Sequence, residues 1–401
     1  MSDVRNIVLI TLDSVRADHC SFMGYCRKTT PTIDRMARKG LYFENAIAAS
    51  VPTGPSMFSC FTSEFLYTSK ILEPKIVRNF FLQSKTLAEV LSNSGYETVA
   101  VHRHPWLSRI FGFDKGFRYY SCGDFDRVKS RNAIKWITDV LKGIGASTPW
   151  HEYYDEIIKK IKTLREPWFL WTILLDTHTP YFPPIKKWNK NRATLIYHYA
   201  KLKFLKSKYP RKIKSIIDAY DDAIFYADIF IKNLLEDLGS YDPIFIIHAD
   251  HGDGFGEHGF YHHPPQLYEE LIHVPLVIYN SDLKGKIDYP VSLRSLSPTI
   301  IKLAGIENTF SAKTLLDKTE WAISQVFDNY RRIAIRLKRW KYIWSETGEE
   351  LYNLKDDPHE QINVVNEHRD LAMELKNIVK NFVNEEKSKI IKNTIKRIRR
   401  L

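Results

Sequence analysis

A chain of 401 residues with 44% hydrophobic side chains is long enough for one large domain with a small appendage, and too apolar to stay disordered. Its four cysteines, Cys20, Cys26, Cys60 and Cys122, form no close pair, which excludes a zinc ribbon or a disulfide-held scaffold, and no apolar run reaches the length of a membrane span. The formal net charge of +12 suits an anionic partner such as an acidic lipid surface, a nucleic acid or an anionic substrate.

In chain order, NIVLITLD near the start reads as a buried strand ending at Asp13. Its apolar run is too short for a signal peptide, so the expected address is the cytoplasm. TTPTIDRMARKG follows as a short helix, with Thr30 to cap it, Pro31 to open it and Gly40 to stop it. After it comes AASVPTGPSMFSCFTS, in which a second helix is expected to begin at Pro55. KTLAEVLSNSG reads as a helix, and GYETVAVHRH as a second strand with a polar end at His102, Arg103 and His104. PWFLWTILLDTHTPYFPP is a third strand ending at Asp176 and His178, and the segment from Ile213 to Leu238 is a long helix. YDPIFIIHADHGDGFGEHG is a fourth strand ending at Asp250 and His251, and HVPLVIYN a fifth. This alternation predicts an α/β fold, a doubly wound, mostly parallel sheet with helices on both faces. After about residue 325 the texture changes to two or three antiparallel strands with a turn near Thr347 and Gly348. The expected organisation is a catalytic domain over 1–324, a small α+β subdomain over 325–380 and a basic helix or tail over 381–401.

Ligands in open α/β sheets bind beyond the carboxyl ends of the strands, where these polar endings fall. Asp13, Asp250 and His251 offer two carboxylates and an imidazole, a donor set for one divalent cation, with Mn²⁺, Mg²⁺, Ca²⁺ and Zn²⁺ all compatible. Thr53 is a weak nucleophile alone and a competent one beside a metal or base, so it is read either as a helix cap or as a nucleophile that also completes the metal shell. Ser56 is its local rival. His178 and His263 are candidates for holding an oxyanion or moving a proton, and Arg103, His102, His104 and Asp176 for contacting the substrate.

Taken together, NIVLITLDSVRADHCSFMGY, TPTIDRMARKGLYFENAIAASVPTGPSMFSCFTS, DTHTPYFPP, HADHGDGFGEHG, LYEELIHVPLVIY and ELYNLKDDPHE resemble the sulfatase-like branch of the alkaline phosphatase superfamily, over residues 6 to about 364. The resemblance implies hydrolysis or transfer of sulfate or phosphate esters at a divalent metal, with Asp13 and Asp250 as metal carboxylates, His251 beside them and Thr53 at the nucleophile position. The chain departs from the family pattern at Ser14, where a second Asp is usual, at Met57, where an Arg is usual, and near LYEE, where His263 stands in for a missing lysine. Threonine cannot be oxidised to the formylglycine of true sulfatases. The resemblance therefore points to the family's phosphodiesterases and phosphotransferases, with a formylglycine-free sulfatase or a catalytically idle binding protein as alternatives. One metal is expected, because no Asp-x-x-x-His pair follows Asp176.

Two basic blocks remain. The C-terminal tail spaces Ile391, Ile395, Ile398 and Leu401 as one helix face opposite Lys387, Lys389, Lys392, Lys396, Arg397, Arg399 and Arg400, which suits peripheral contact with an anionic membrane or simple solvation. The middle block carries Tyr197, Tyr199 and Tyr209 among lysines, but no recognised nucleic-acid module accompanies it, so nucleic acid is not expected as a partner.

Overall fold

The computed structural model describes residues 4–68, 70–71, 73–123, 148–205, 214–328 and 330–398. Eight strands form the main sheet: β1 (Ile7–Leu12), β2 (Leu41–Phe43), β3 (Glu97–Val101), β4 (Tyr119–Ser121), β5 (Trp168–Leu174), β6 (Ile244–Ala249), β7 (Leu276–Tyr279) and β8 (Gly285–Ile287). Their spatial order is β8-β2-β7-β6-β1-β5-β3-β4. Every residue of β1, β5 and β6 is buried, as the unbroken apolar runs predict for central strands covered on both faces. Two helix groups flank the sheet. One pairs α1 (Pro31–Lys39) with α3 (Lys214–Asp237), and the other joins α2 (Thr53–Thr62) to the helices Leu87–Asn93 and Leu296–Leu303.

The run from β6 through β1, β5 and β3 to β4 is parallel throughout, and Leu12 lies level with both Leu174 and Ala249. The residues that follow these strands therefore emerge together at one edge. HVPLVIYN does not form one strand. Pro275 divides it into His273–Val274, which pairs with Ala46–Ile47 in a small separate sheet, and β7, which is antiparallel to β6. The chain leaves the sheet at Ala249 and re-enters from the same edge at Leu276, without the crossover a parallel strand needs.

Thr30 does not cap α1; its hydroxyl donates instead to Asp34 Oδ1 at 2.9 Å. Thr86 does cap the helix at Leu87, in a reciprocal box with Glu89. The second helix begins at Thr53, two residues ahead of the expected Pro55.

The C-terminal sheet has four antiparallel strands, rather than two or three, in chain order: β9 (Trp321–Phe327), β10 (Arg331–Leu337), β11 (Trp340–Ser345) and β12 (Gly348–Asn353). Its first strand starts at Trp321, ahead of residue 325, and the Ser345–Gly348 pairing closes the expected turn. The helix α4 (Arg369–Ile398) runs without interruption through residues 380 and 381. It packs on β10 and β11 over a second core that includes Ile333, Ile335, Leu375 and Val379. The basic face expected from Lys387 to Leu401 lies outside the described side chains, as does Tyr209 of the middle block outside the described residues.

At the junction between the two sheets sits a buried ionic cluster. Lys341 Nζ, fully buried, lies 2.8 Å from Glu360 and 3.1 Å from Glu269, and Arg336 lies 3.2 Å from Glu269. No described helix is long and apolar enough to cross a membrane.

Candidate active site and metal centre

Asp13 follows β1 and Asp250 follows β6, so two carboxylates arrive side by side at the carboxyl edge of adjacent strands. Asp13 is pinned by its own N–H, which donates to Leu174 O at 3.1 Å. Ser14, with φ 61, turns the chain there. Its hydroxyl donates to Asp13 Oδ1 at 2.7 Å and its N–H to Asp250 Oδ1 at 3.0 Å, so the residue that replaces a usual aspartate orients both carboxylates. Gly252 is required just beyond, because a Cβ there would lie 2.0 Å from Glu270 O.

Asp13, Asp250 and His251 are all fully buried, and one ligand atom from each lies within 4.8 Å of the others. Asp13 Oδ2 and Asp250 Oδ2 have no hydrogen-bond donor among the described residues, although His104 Nε2 stands 3.2 Å from the first. His251 donates from Nδ1 to Gly252 O at 2.8 Å, which leaves the Nε2 lone pair facing the carboxylates. Burial and then the charge of His263 hold this imidazole in its neutral form, down to about 4. Burial and the neighbouring Asp13 charge push Asp250 up, while Asp13, despite burial, is held below the usual carboxylate range by His178, His104 and His251. Two orphaned carboxylate oxygens and an imidazole nitrogen beside them fit a divalent cation, and these three residues could hold one.

Thr53 reaches this centre from α2. Its Oγ1 donates to His251 Nε2 at 3.0 Å. It is the first helical residue, with Pro52 before it, and its side chain does not cap the helix. The rival Ser56 is fully buried and donates to Asp250 O at 2.7 Å, and Met57 sits in the core.

A cavity of about 180 Å³ opens over Thr53. Its polar lining comes from Thr53, His104, His178 and His263. His178 donates from Nδ1 to Thr179 O at 2.6 Å, and burial holds it down, toward the neutral imidazole. His263 meets Asp253 Oδ1 at 3.1 Å; although burial opposes it, the Asp253 hydrogen bond and charge hold the imidazole up, toward the cation. The two rings are 5.1 Å apart.

Three expected contacts lie elsewhere. His102 is fully buried, with Nε2 2.9 Å from the Tyr120 hydroxyl and Nδ1 accepting from His104 N. Arg103 pairs with Glu156 at 2.5 Å and covers the Tyr153 ring. Asp176 accepts from Trp150 N at 3.2 Å, with burial pushing it up to about 7. None of the three lines the cavity. The sequence reading passed over Asp253, though it lies within HADHGDGFGEHG, and over the aromatic residues Trp106, Phe111 and Phe113, which line the cavity and carry no polar signature.

Similar proteins share this framework. An arylsulfatase of Clostridium perfringens is 27% identical over 90% of both chains. An N-acetylglucosamine-6-O-sulfatase of Bacteroides thetaiotaomicron is 22% identical over 90% of this chain and 82% of that protein. The crystal structure of a phosphonate monoester hydrolase from Agrobacterium radiobacter superposes with a TM-score of 0.71 at 17% identity, covering 95% of this chain and 96% of that one, which establishes the shared fold. The family model described as Sulfatase matches residues 5–306, the span that carries Asp13, Thr53, Asp250 and His251, and the chain belongs to that family.

Proposed function

We propose that the protein is a metal-dependent hydrolase or transferase of phosphate or sulfate esters that works through a covalent intermediate on Thr53, with phosphodiesters as the favoured substrates. One observation carries this reading: Thr53 Oγ1 stands 3.0 Å from His251 Nε2, at the floor of an open cavity, rather than capping its helix. Asp13, Asp250 and His251 would hold a divalent cation, which when bound would lower the pKa of the Thr53 hydroxyl and offset the charge of an anion.

Thr53 Oγ attacks phosphorus or sulfur, and its new bond forms as the bond to the departing ester oxygen breaks. Thr53 releases its proton to solvent as it attacks and the departing oxygen takes one from a neighbouring acid, so the half-reaction balances. His263, held by Asp253 and biased toward the cation, is suited to supply that proton or to hold a non-bridging oxygen. His178, with its Nδ1 proton committed to Thr179 O, offers a lone pair at Nε2. It suits the opposite task, taking a proton from the water or alcohol that discharges Thr53. His104 supplies a further donor toward Asp13 and the anion. Thr53 and Gly54, in the first turn of α2, line the same cavity, and the N-terminal end of a helix favours negative charge.

A threonine ester has no second hydroxyl through which to expel its group, so an external acceptor must attack, and that chemistry favours phosphoryl over sulfuryl groups. Sulfate remains the second reading, because relatives of similar length are named arylsulfatase and sulfatase. The test is a panel of 4-nitrophenyl phosphodiesters and 4-nitrophenyl sulfate, assayed on chelator-treated protein with Mn²⁺, Mg²⁺, Ca²⁺ or Zn²⁺ restored singly. Cation-dependent release of nitrophenol that vanishes in Thr53→Ala is expected; release that persists in that variant would overturn the reading. The four cysteines are all free, which supports a cytoplasmic address, and the basic C-terminal segment is proposed as a peripheral contact for an anionic membrane.

A further inference from the structure

The cavity over Thr53 has two unlike ends. Beyond the polar floor, its wall is built by Leu66, Ile71, Val77, Trp106, Phe111 and Phe113. No lysine, arginine, aspartate or glutamate lines it among the described residues. Val77, Phe111 and Phe113 are buried, so the back of the wall is fixed by the core, while Trp106 at the rim is 45% exposed and packs edge-on to Phe111 at 5.7 Å. Beyond its edge contact with Phe111, this exposed tryptophan offers apolar surface to solvent beside the cavity.

A sugar bearing a sulfate or phosphate presents a ring of hydroxyls, and each would lose its water against this wall without a protein donor or acceptor in return. A flat apolar group faces no such penalty. Size points the same way, since the whole cavity, polar floor included, measures only about 180 Å³, little more than the roughly 150 Å³ of an apolar cavity that takes up benzene, so beside an anion it has room for a small group and not for several sugar rings. Resting on the reading of Thr53 as the nucleophile, we propose that the apolar wall is the subsite for one ester substituent of the substrate, and that this substituent is a single aromatic ring or a short hydrocarbon group rather than a glycan. The anion sits over Thr53 among His104, His178 and His263, and the apolar substituent lies against Trp106 and Phe113.

The test uses stable anions, so it reads recognition apart from turnover. Phenylphosphonate, methylphosphonate and glucose 6-phosphate are titrated calorimetrically into the full-length protein supplied with Mn²⁺. Phenylphosphonate is expected to bind about tenfold or more tighter than methylphosphonate, since burying a ring removes much more apolar surface from water than burying a methyl group. Glucose 6-phosphate is expected to bind no better than methylphosphonate. Trp106→Ala, at an exposed rim position, and Ile71→Asn should each bring the phenyl-to-methyl ratio down toward one, with methylphosphonate binding little changed. Equal binding of the phenyl and methyl compounds, absence of binding by any of them, or a ratio that survives both substitutions would overturn the subsite. Turnover that needs Thr53 but ignores the substituent sinks this inference alone. A phenyl preference in a protein that turns over no ester sinks the catalytic reading instead.

Discussion

Two clusters of wholly or largely buried carboxylates among the described residues, Glu269 with Glu360 and Asp13 with Asp250, are neutralised in opposite ways. At the junction of the two sheets, Glu269 and Glu360 face Lys341 and Arg336, cations supplied by β10 and β11. At the carboxyl edge of the main sheet, Asp13 and Asp250 accept from Ser14 and face imidazoles but, among the described residues, no lysine or arginine; one oxygen of each lacks a donor, as does Glu360 Oε1 at the junction. Burying a charge is unfavourable unless it is paired, so the first cluster carries its own permanent cations, Lys341 and Arg336, whereas the second has none among the described residues and needs a charge from outside. That difference separates a tie between subdomains from a site, although burial alone would not distinguish them.

The comparison can be broken at either cluster. The largest effect belongs to the site. Thr53→Ala removes the atom that forms the intermediate, so kcat should fall by at least about a thousandfold, while the melting temperature and bound metal stay near their original values. An activity loss of a few-fold would demote Thr53 from nucleophile to a contact. At the junction, Lys341→Met leaves Glu360 buried without its cation and Glu269 with Arg336 alone, and the loss of stability should be about 3–5 kcal/mol in urea unfolding. Metal affinity, read by calorimetry on the folded fraction, should not change. If it weakens in step with stability, the two clusters are coupled and the division between tie and site fails.

Much of the site was legible because parallel strands end at one edge. The unbroken apolar runs that became β1, β5 and β6 placed Asp13, His178, Asp250 and His251 there without knowledge of any contact. Short strands were not legible, since three residues such as Leu41–Phe43 or Gly285–Ile287 carry no period to read. The start of α2 was misplaced because proline is commonest at the first helical position, whereas Pro55 is the third. That position is still free of the intrahelical donor role that proline lacks, so the helix accepts it and Thr53 moves from cap to first turn. The HRH triplet failed to separate for another reason. Which of His102, Arg103 and His104 faces the centre depends on where the chain leaves β3 and on Tyr120 and Glu156, partners distant in sequence.

The smallest expected effect is also the sharpest test of the difference between the clusters, because its sign reverses with metal. In metal-free protein the folded state raises Asp250 from 3.8 to about 7, through burial and then the Asp13 charge. A carboxyl raised on folding binds more protons in the native than in the unfolded state, so its contribution to stability falls as pH rises through that window and is absent as a penalty below it. Asp250→Asn removes the ionisable group, so the metal-free variant should be more stable than metal-free wild type at pH 8, with the gap closing by pH 4. Adding Mn²⁺ should stabilise the wild type and not the variant, since binding to the native state alone raises stability with ligand concentration. The order of the two unfolding midpoints then inverts between chelator and metal. The analogous change at the junction, Glu360→Gln, should show no dependence on added metal, because Lys341 is already in place there. A wild type that is the more stable protein in chelator at pH 8 would mean that Asp13 and Asp250 are compensated from within, as Glu269 and Glu360 are.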